Sequence, residues 1–390
     1  MTPIEGQIEI DIRTRRNSNA VVEIVSSRPV YASQIMIGKT PEQALNLIPL
    51  IFSVCRIAQS RVSFSAIMQQ LGHPSSAPDE CARDMLVIAE TAREHLFRIF
   101  MDWPVLFAAV HDDQFLPYIN GLTRQTAQAL YQDGHGFLMG SALSPNVQQL
   151  ETVISELEQF LSAYVFQHSL DQWLRISDID DLGHWSSKGN HLIAQSLRTI
   201  LHNNWETQGC PEGHFLPELD HQQLLERFQS ENARHFIAQP DWHGKPFETT
   251  TLSRQQSHPL IKNLRQKFQN TLITRWLARL VELAGIPDHL RSLLIKLKRP
   301  DLTPIEQSAS LGIAQIEAAR GKLIHRVKIE KNRISQYQIL APTEWNFHPR
   351  GLIQQSLSRI QASDKAETNR IARLLINAID PCVGYALRIH

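Results

Sequence analysis

The chain has 390 residues, of which 39 are basic and 39 acidic, so its formal net charge at pH 7 is zero. Because a balanced charge gives no field that concentrates polyanions, broad nucleic-acid binding is disfavoured. The apolar content of 42% is too high for a disordered chain, and the longest apolar stretch, residues 44–55, is too short and too interrupted to span a bilayer. Four scattered cysteines and a start without an apolar signal core predict a soluble, cytoplasmic protein with free thiols and no nucleic-acid or membrane partner.

The first segments of the chain predict two strands and a helix. Residues 7–12 alternate polar and apolar side chains, and a second β-rich run covers residues 20–25, so an antiparallel strand pair is expected over residues 7–25. Thr40, Pro41 and Gln43 then form a helix-start pattern, with a capping threonine, a proline in the first turn and a glutamine at the capping-box position. We expect this helix to end near Cys55.

Helical periodicity dominates the middle of the chain, at residues 62–71, 81–101, 147–166, 190–201, 221–228, 257–284 and 288–297. The pattern returns to strands at residues 322–330 and 333–340, which flank a hairpin turn, and a last helix is expected at residues 367–379. The sequence therefore predicts one mainly α domain, residues 1–390, with small β-sheets from its N- and C-terminal segments. Its expected parts are the strand pair 7–25, a helical body 41–320, a hairpin 322–340 and a tail 341–390.

Two cysteines stand at ends of predicted helices. Cys55 closes the first of them, and Cys382 follows the last one in the segment Asp380-Pro381-Cys382. Taken alone, each cysteine is more typical of a small core side chain than of a metal ligand, because free cysteine is among the most buried residue types. The proline stops the helix and directs the apolar tail after Cys382 into the interior, which weakens the core interpretation for that residue.

Five short segments carry a more specific pattern when they are taken in chain order. They are Thr2-Pro3-Ile4-Glu5-Gly6-Gln7, Glu248 to Arg254, Glu317-Ala318-Ala319-Arg320-Gly321, Ala341 to Arg350 and Asp380-Pro381-Cys382. Together they resemble segments of nickel-iron hydrogenase large subunits, and this resemblance implies the large-subunit fold from end to end. In that family Asp380-Pro381-Cys382 would begin the C-terminal Cys-x-x-Cys-x-x-His motif. The match around Arg254 is weak, because Thr249 to Thr251 replace the glycine and proline of the family segment.

The chain also departs from the catalytic family. Large subunits hold nickel and iron with two Cys-x-x-Cys pairs, whereas here Phe52 replaces the first cysteine of one pair and Tyr385 the second cysteine of the other. Gln59 and Arg388 replace the histidines that follow the pairs, and we expect no removable extension after the chain end. Two thiolates cannot complete a four-thiolate nickel site, so no nickel and no hydrogen-activating enzyme are expected.

This combination resembles the hydrogenase expression and maturation proteins of the HupK/HoxV type, which are large-subunit relatives that are not hydrogenases. The resemblance implies a non-catalytic scaffold that transiently holds an iron centre with two cyanides and one carbonyl and transfers it to the apo large subunit. Its implied partners are the accessory maturation chaperones and that apo subunit. The alternative is a metal-free interaction protein that binds the chaperones by mimicry of the large subunit.

The same resemblance implies roles for single residues. Cys55 and Cys382 would provide the thiolates for iron, Arg320 would lie beside one cyanide, and Pro342 and Thr343 would line the other. The alternative for Arg320 is a buried ion pair with Glu317 or Glu5, and the alternative for Pro342 and Thr343 is a simple strand exit. Glu5 matches a proton-relaying glutamate of the catalytic relatives, but a structural hydrogen bond near the site is its expected use here.

Overall fold

The computed structural model of the protein describes residues 6–15, 18–28, 32–73, 75–209, 212–298 and 311–390. Helices make up most of this part of the chain: α1 (Pro41–Ile51), α2 (Arg56–Leu71), α3 (Ala77–Phe97), α4 (Trp103–Leu106), α5 (Leu116–Leu130), α6 (Val147–Phe160), α7 (Leu170–Leu174), α8 (Ile179–Lys188), α9 (Leu192–His202), α10 (His221–Gln229), α11 (Ala233–Ala238), α12 (Thr251–Gln255), α13 (Pro259–Phe268), α14 (Leu272–Leu297), α15 (Pro342–Asn346), α16 (Leu352–Ser358) and α17 (Lys365–Ile379). Within these residues, no helix has both the length and the apolar character that crossing a bilayer requires.

Local sequence signals explain where several helices begin. The capping box at α1 is confirmed, since the backbone amide of Gln43 donates to Thr40 Oγ1 at 3.3 Å and the Thr40 amide donates to Gln43 Oε1 at 3.0 Å. However, α1 ends at Ile51, four residues before Cys55, and that cysteine instead immediately precedes α2.

The predicted helix over residues 257–284 is wrong in its bounds. It is split into α13 and α14 by residues 269–271, because Gln269 adopts a left-handed backbone conformation with φ of +58°. Conversely, α14 continues through Pro287, where a stop was expected. Its burial against α3 compensates for the one backbone hydrogen bond that a proline removes.

The first sheet joins the two ends of the chain. Strands β1 (Gln7–Arg15) and β2 (Ser18–Ser26) pair antiparallel, as predicted, with Ile12 opposite Val22. A strand that was not predicted, from Gly384 to Ile389, pairs parallel to β1 on its other edge with Gln7 opposite Gly384. Cys382 lies two residues before this strand. The sheet therefore fixes the C-terminal cysteine beside the start of the chain.

The second sheet consists of β3 (Ile313–Ala318), β4 (Gly321–Glu330) and β5 (Arg333–Leu340), all antiparallel, and the terminal strand of the first sheet is β6 (Gly384–Ile389). The predicted hairpin is confirmed as β4 and β5, while β3 corrects the expectation that the helical body extends to residue 320. The turn between β3 and β4 requires Gly321, whose φ is +124° and whose missing Cβ would lie 1.6 Å from the Thr249 carbonyl oxygen. This tight turn places Arg320.

Helix α2 packs against β3 and β4, so the segment that begins α2 lies beside the second sheet. Cys55, at the start of α2, and Cys382, before β6, are thereby brought from opposite ends of the sequence to the same part of the core. A single large apolar cluster surrounds this region and includes the fully buried Ile8, Ile10 and Ile12 of β1. The fold thus determines the position of both cysteines by long-range packing.

Candidate metal-binding site

Cys55 and Cys382 line one small cavity of about 60 Å³. Cys55 is partly buried in the link between α1 and α2, whereas Cys382 is buried, with 9% of its surface exposed. Phe52 and Glu344 line the same cavity. The two sequence-predicted thiols therefore share a site.

Thr343 lies directly on the C-terminal cysteine. Its Oγ1 is 2.9 Å from Cys382 Sγ, and the Cys382 amide donates to the same oxygen at 3.3 Å. Pro342 occupies the first turn of α15, where a proline is well accommodated, and is buried. The structure gives Pro342 no polar contact with either cysteine, so its part is to begin the helix that presents Thr343.

Arg320 lies within a buried group of charges. Its Nη2 is 2.8 Å from Glu94 Oε2 and its Nε is 3.2 Å from Asp380 Oδ1, while its Nη1 is buried and has no hydrogen-bond partner among the described residues. Burial alone would lower the pKa of Arg320, but the carboxylates of Asp380 and Glu94 raise it well above its ordinary value. The guanidinium thus stays charged and has one unused donor.

The alternative partners expected for Arg320 are not those observed. The Glu317 pair is wrong, because that carboxylate instead lies 2.7 Å from Lys322 Nζ and 3.6 Å from Arg254 Nη1. Glu5 lies outside the described residues. Asn346, which the sequence led us to expect as a support of its loop against the last helix, instead donates from Nδ2 to the Arg320 carbonyl oxygen at 3.1 Å and so fixes the turn that carries the arginine.

Asp380 is the centre of this charge group. It ends α17 with a left-handed φ of +66°, and its carboxylate lies 2.8 Å from Arg98 and 3.4 Å from Arg279 as well as beside Arg320. Burial raises the pKa of Asp380, but the three arginines outweigh it and hold that pKa well below its usual range. Arg98 also donates to the Pro381 carbonyl oxygen at 3.2 Å, so the charges position the backbone next to the cysteine.

A buried hydrogen-bond chain leads away from Cys55. Gln59 Nε2 lies 3.7 Å from Cys55 Sγ, and Gln59 Oε1 lies 2.9 Å from His325 Nε2. His325 Nδ1 lies 2.9 Å from the Tyr337 hydroxyl, which is 2.7 Å from Ser63 Oγ. Burial lowers the pKa of His325 to about 3, so the imidazole is neutral at physiological pH. Sequence analysis identified Gln59 only as a missing histidine and did not find this chain.

The protonation of Cys55 follows from its surroundings. Burial raises the pKa of the thiol, Cys382 and Glu90 raise it further, and Arg320 and Gln59 only partly oppose them. Glu90 is a second residue that sequence analysis missed: its carboxylate accepts from the amides of Ile57 at 2.8 Å and Ala58 at 2.9 Å, and burial raises its pKa to about 7. Cys55 is therefore a thiol until a metal displaces its proton.

Comparison with known proteins shows which chains are similar to this one. The family model for nickel-dependent hydrogenases matches residues 202–388. The hydrogenase expression/formation protein HoxV of Cupriavidus necator is 27% identical over 93% of this chain and 92% of its own length. HupV of Azotobacter chroococcum is 26% identical over 98% of both chains. The chain is thus similar, along almost its whole length, to hydrogenase expression/formation proteins.

The fold is that of the hydrogenase large subunits, as expected. The nickel-iron-selenium hydrogenase of Desulfomicrobium baculatum superposes with a TM-score of 0.67 at 16% identity and covers 95% of both chains. The corresponding hydrogenase of Desulfovibrio vulgaris Hildenborough gives a TM-score of 0.65 at 16% identity over 94% of both chains. These likenesses establish the architecture, while the chemistry depends on the residues present.

The two positions at which the resemblance places further cysteines line different spaces. Phe52 lines the small cavity with Cys55 and Cys382, whereas Tyr385 lines a larger cleft that also includes Cys382. Arg388, which replaces a histidine, lies on the exposed face of β6, 3.2 Å from Glu9 and 3.3 Å from Asp11. Among the described residues, no group of three or more His, Cys, Asp or Glu side chains is placed to hold a metal ion.

Proposed function

We propose that this protein is a non-catalytic scaffold in the maturation of a nickel-iron hydrogenase. Its cargo is an iron centre with two cyanides and one carbonyl, which it holds transiently at Cys55 and Cys382 and transfers to the apo large subunit. The names of its relatives support a maturation role, and the two thiols on one cavity support the cargo. The observation that carries the proposal is the charged, buried Arg320 with an unused Nη1 donor at this site.

The residues fit such a cargo chemically. An iron that already carries strong-field ligands needs few protein ligands, so two thiolates are sufficient to hold it. A cyanide nitrogen accepts hydrogen bonds, and the guanidinium of Arg320 can donate a charge-assisted one. The Thr343 hydroxyl, next to Cys382 Sγ, is a second donor at the same site.

The raised pKa of Cys55 favours reversible binding. Its thiol must lose a proton when iron binds, and the surrounding burial and negative charge favour the return of that proton when iron leaves. A cysteine with a low pKa would already be a thiolate, so no proton would compete with iron for its sulfur. The site therefore suits a protein that holds iron and then releases it.

The test is to purify the protein from cells that express the maturation genes and to measure iron, nickel and the infrared bands of bound cyanide and carbonyl. We expect iron with both kinds of band in the wild type and their loss in Cys55→Ser and Cys382→Ser. Cys81→Ser is the matched control, because Cys81 is a partly buried free cysteine on α3 outside the cavity. Absence of the bands from the wild type would contradict the cargo, and stoichiometric nickel with hydrogen uptake would contradict the non-catalytic role.

The metal-free alternative gives a different result in the same experiment. A protein that binds accessory chaperones or the apo large subunit only by mimicry should tolerate serine at both cysteine positions. Hydrogenase maturation in cells that carry the double variant would then be unchanged. We expect instead that each single serine variant reduces maturation.

A further inference from the structure

A second, wider cleft is also lined by Cys382. Its volume is about 930 Å³, against about 60 Å³ for the cavity shared with Cys55. Five arginines line it: Arg93, Arg98, Arg320, Arg370 and Arg373. Three carboxylates line it as well, Glu94, Asp102 and Asp380, and all three are engaged by arginines of the same cleft. The cleft therefore has an excess of positive charge next to the candidate metal-binding site.

That excess lies at Arg370 and Arg373, which are exposed one turn apart on α17. Neither forms an ion pair with a carboxylate of the described chain within 4.0 Å. The acid one turn before Arg370 is Glu367, whose oxygens already accept from the Ser363 amide at 2.7 Å and from Trp205 Nε1 at 2.9 Å. Arg370 lies over the Trp205 ring at 5.6 Å, a contact that leaves its charge uncompensated. Two guanidinium groups without a carboxylate partner are thus available for an anion that enters the cleft.

The same helix face leads from these arginines to the cysteine. Four residues that line the cleft follow one another at helical spacing: Arg370, Arg373, Asn377 and Asp380. Cys382 lies two residues beyond the last of them. At 1.5 Å per residue, this face extends about 15 Å from Arg370 to Asp380. At its inner end is Arg320 with its unused Nη1. The cleft therefore presents cationic donors from its rim to the candidate metal-binding site.

Tyr385 helps to place the outer charge. It stands where the resemblance places a cysteine of the catalytic family, and its hydroxyl lies next to the Arg373 guanidinium, whose Nε donates to Asn369 Oδ1 at 2.7 Å. A guanidinium beside neutral oxygens keeps its full charge for a ligand. At this position the chain has exchanged a metal ligand for the support of an arginine.

We infer that this cleft is a binding site for cyanide-bearing metal anions, with Arg370 and Arg373 as the capturing residues and Tyr385 as a positioning residue. The inference rests on the proposed function, since the cargo would reach Cys382 by this route. The ligand class follows from the chemistry: metal cyanides are compact anions whose nitrogen atoms accept hydrogen bonds from guanidinium groups. A cleft with low-dielectric walls and one dominant sign of charge concentrates such ions.

The test uses hexacyanoferrate(II), whose iron is already six-coordinate and needs no thiolate. Its binding therefore reports on the cleft whether or not the cysteines hold iron, and the two proposals fail independently. Calorimetry of the full-length protein at low salt should show binding that weakens as salt is added. Arg370→Glu/Arg373→Glu should weaken it about tenfold or more, because both charges become repulsive.

The matched control is Lys365→Glu/Arg124→Glu, which makes the same change in net charge at two exposed positions outside the cleft. We expect this control to bind as the wild type does and Tyr385→Phe to bind roughly twofold to threefold more weakly, since only the support of one arginine is lost. Circular dichroism checks that each variant is folded. Equal weakening in both charge-reversal variants, or no binding by the folded wild type, would overturn the inference.

Discussion

Replacing Asp380 by asparagine tests whether the buried charges position the end of α17. Asparagine has the same shape and also tolerates the left-handed backbone that this residue adopts, so the change removes only the negative charge. That charge faces Arg98, Arg279 and Arg320, and Arg279 is only 3% exposed. Because removal of one partner leaves a buried cation uncompensated, we expect Asp380→Asn to lower the free energy of unfolding by about 3–5 kcal/mol.

Urea unfolding of the wild type and the variant measures this loss. Glu158→Gln is the control, because its pair with Arg291 is more than a third exposed on both sides and should be worth about 1 kcal/mol or less. Since the folded pKa of Asp380 is lowered, its contribution is present above the ordinary carboxyl pKa of about 3.9 and is lost as the pH falls further. Equal losses in the two variants between pH 5 and 8 would refute the reasoning.

Three further changes test neighbouring features of the site. Thr343→Val leaves the Cys382 amide without its acceptor and should cost about 1–2 kcal/mol in urea unfolding, together with weaker iron retention by iron analysis. Gly321→Ala should prevent folding to the native state, measured by circular dichroism, because its Cβ would overlap the Thr249 carbonyl oxygen. Glu90→Gln should become more stable relative to the wild type as the pH rises from about 4.5 to about 7 in unfolding titrations. The reason is that the raised pKa of buried Glu90 makes its ionisation oppose folding over that interval.

Local patterns predicted the parts of the fold whose partners are close in sequence. The β4–β5 hairpin and the strand pair β1–β2 follow from alternation on either side of short turns, and the start of α1 follows from its capping box. Strand β6 was missed because its partner β1 lies at the other end of the chain. Periodicity within a window contains no information on such a pairing.

The candidate site, like the fold, was predicted only in part from the sequence. Four site residues were named because short motifs resemble those of a known family: Cys55, Cys382, Arg320 and Thr343. The structure brings Thr343 to Cys382 and Arg320 near both thiols. Their partners Glu94 and His325 were not found, and Asn346 was expected only to hold its own loop against the last helix. No motif marks these residues, and only the packed fold reveals that their polar side chains point to the site.

The two replaced cysteine positions have different consequences for a scaffold. Phe52 forms part of the cavity wall beside Cys55, where the space is small, while Tyr385 and Cys382 line a wide cleft that is rich in arginine. A permanent metal centre benefits from ligands on every side, because each additional bond slows release. A carrier needs the opposite arrangement, in which a thiol of raised pKa, here Cys55, holds its proton in competition with the metal and one side stays accessible to the donor and the acceptor. A phenylalanine and a tyrosine at these two positions supply no thiolate and suit the proposed binding followed by release.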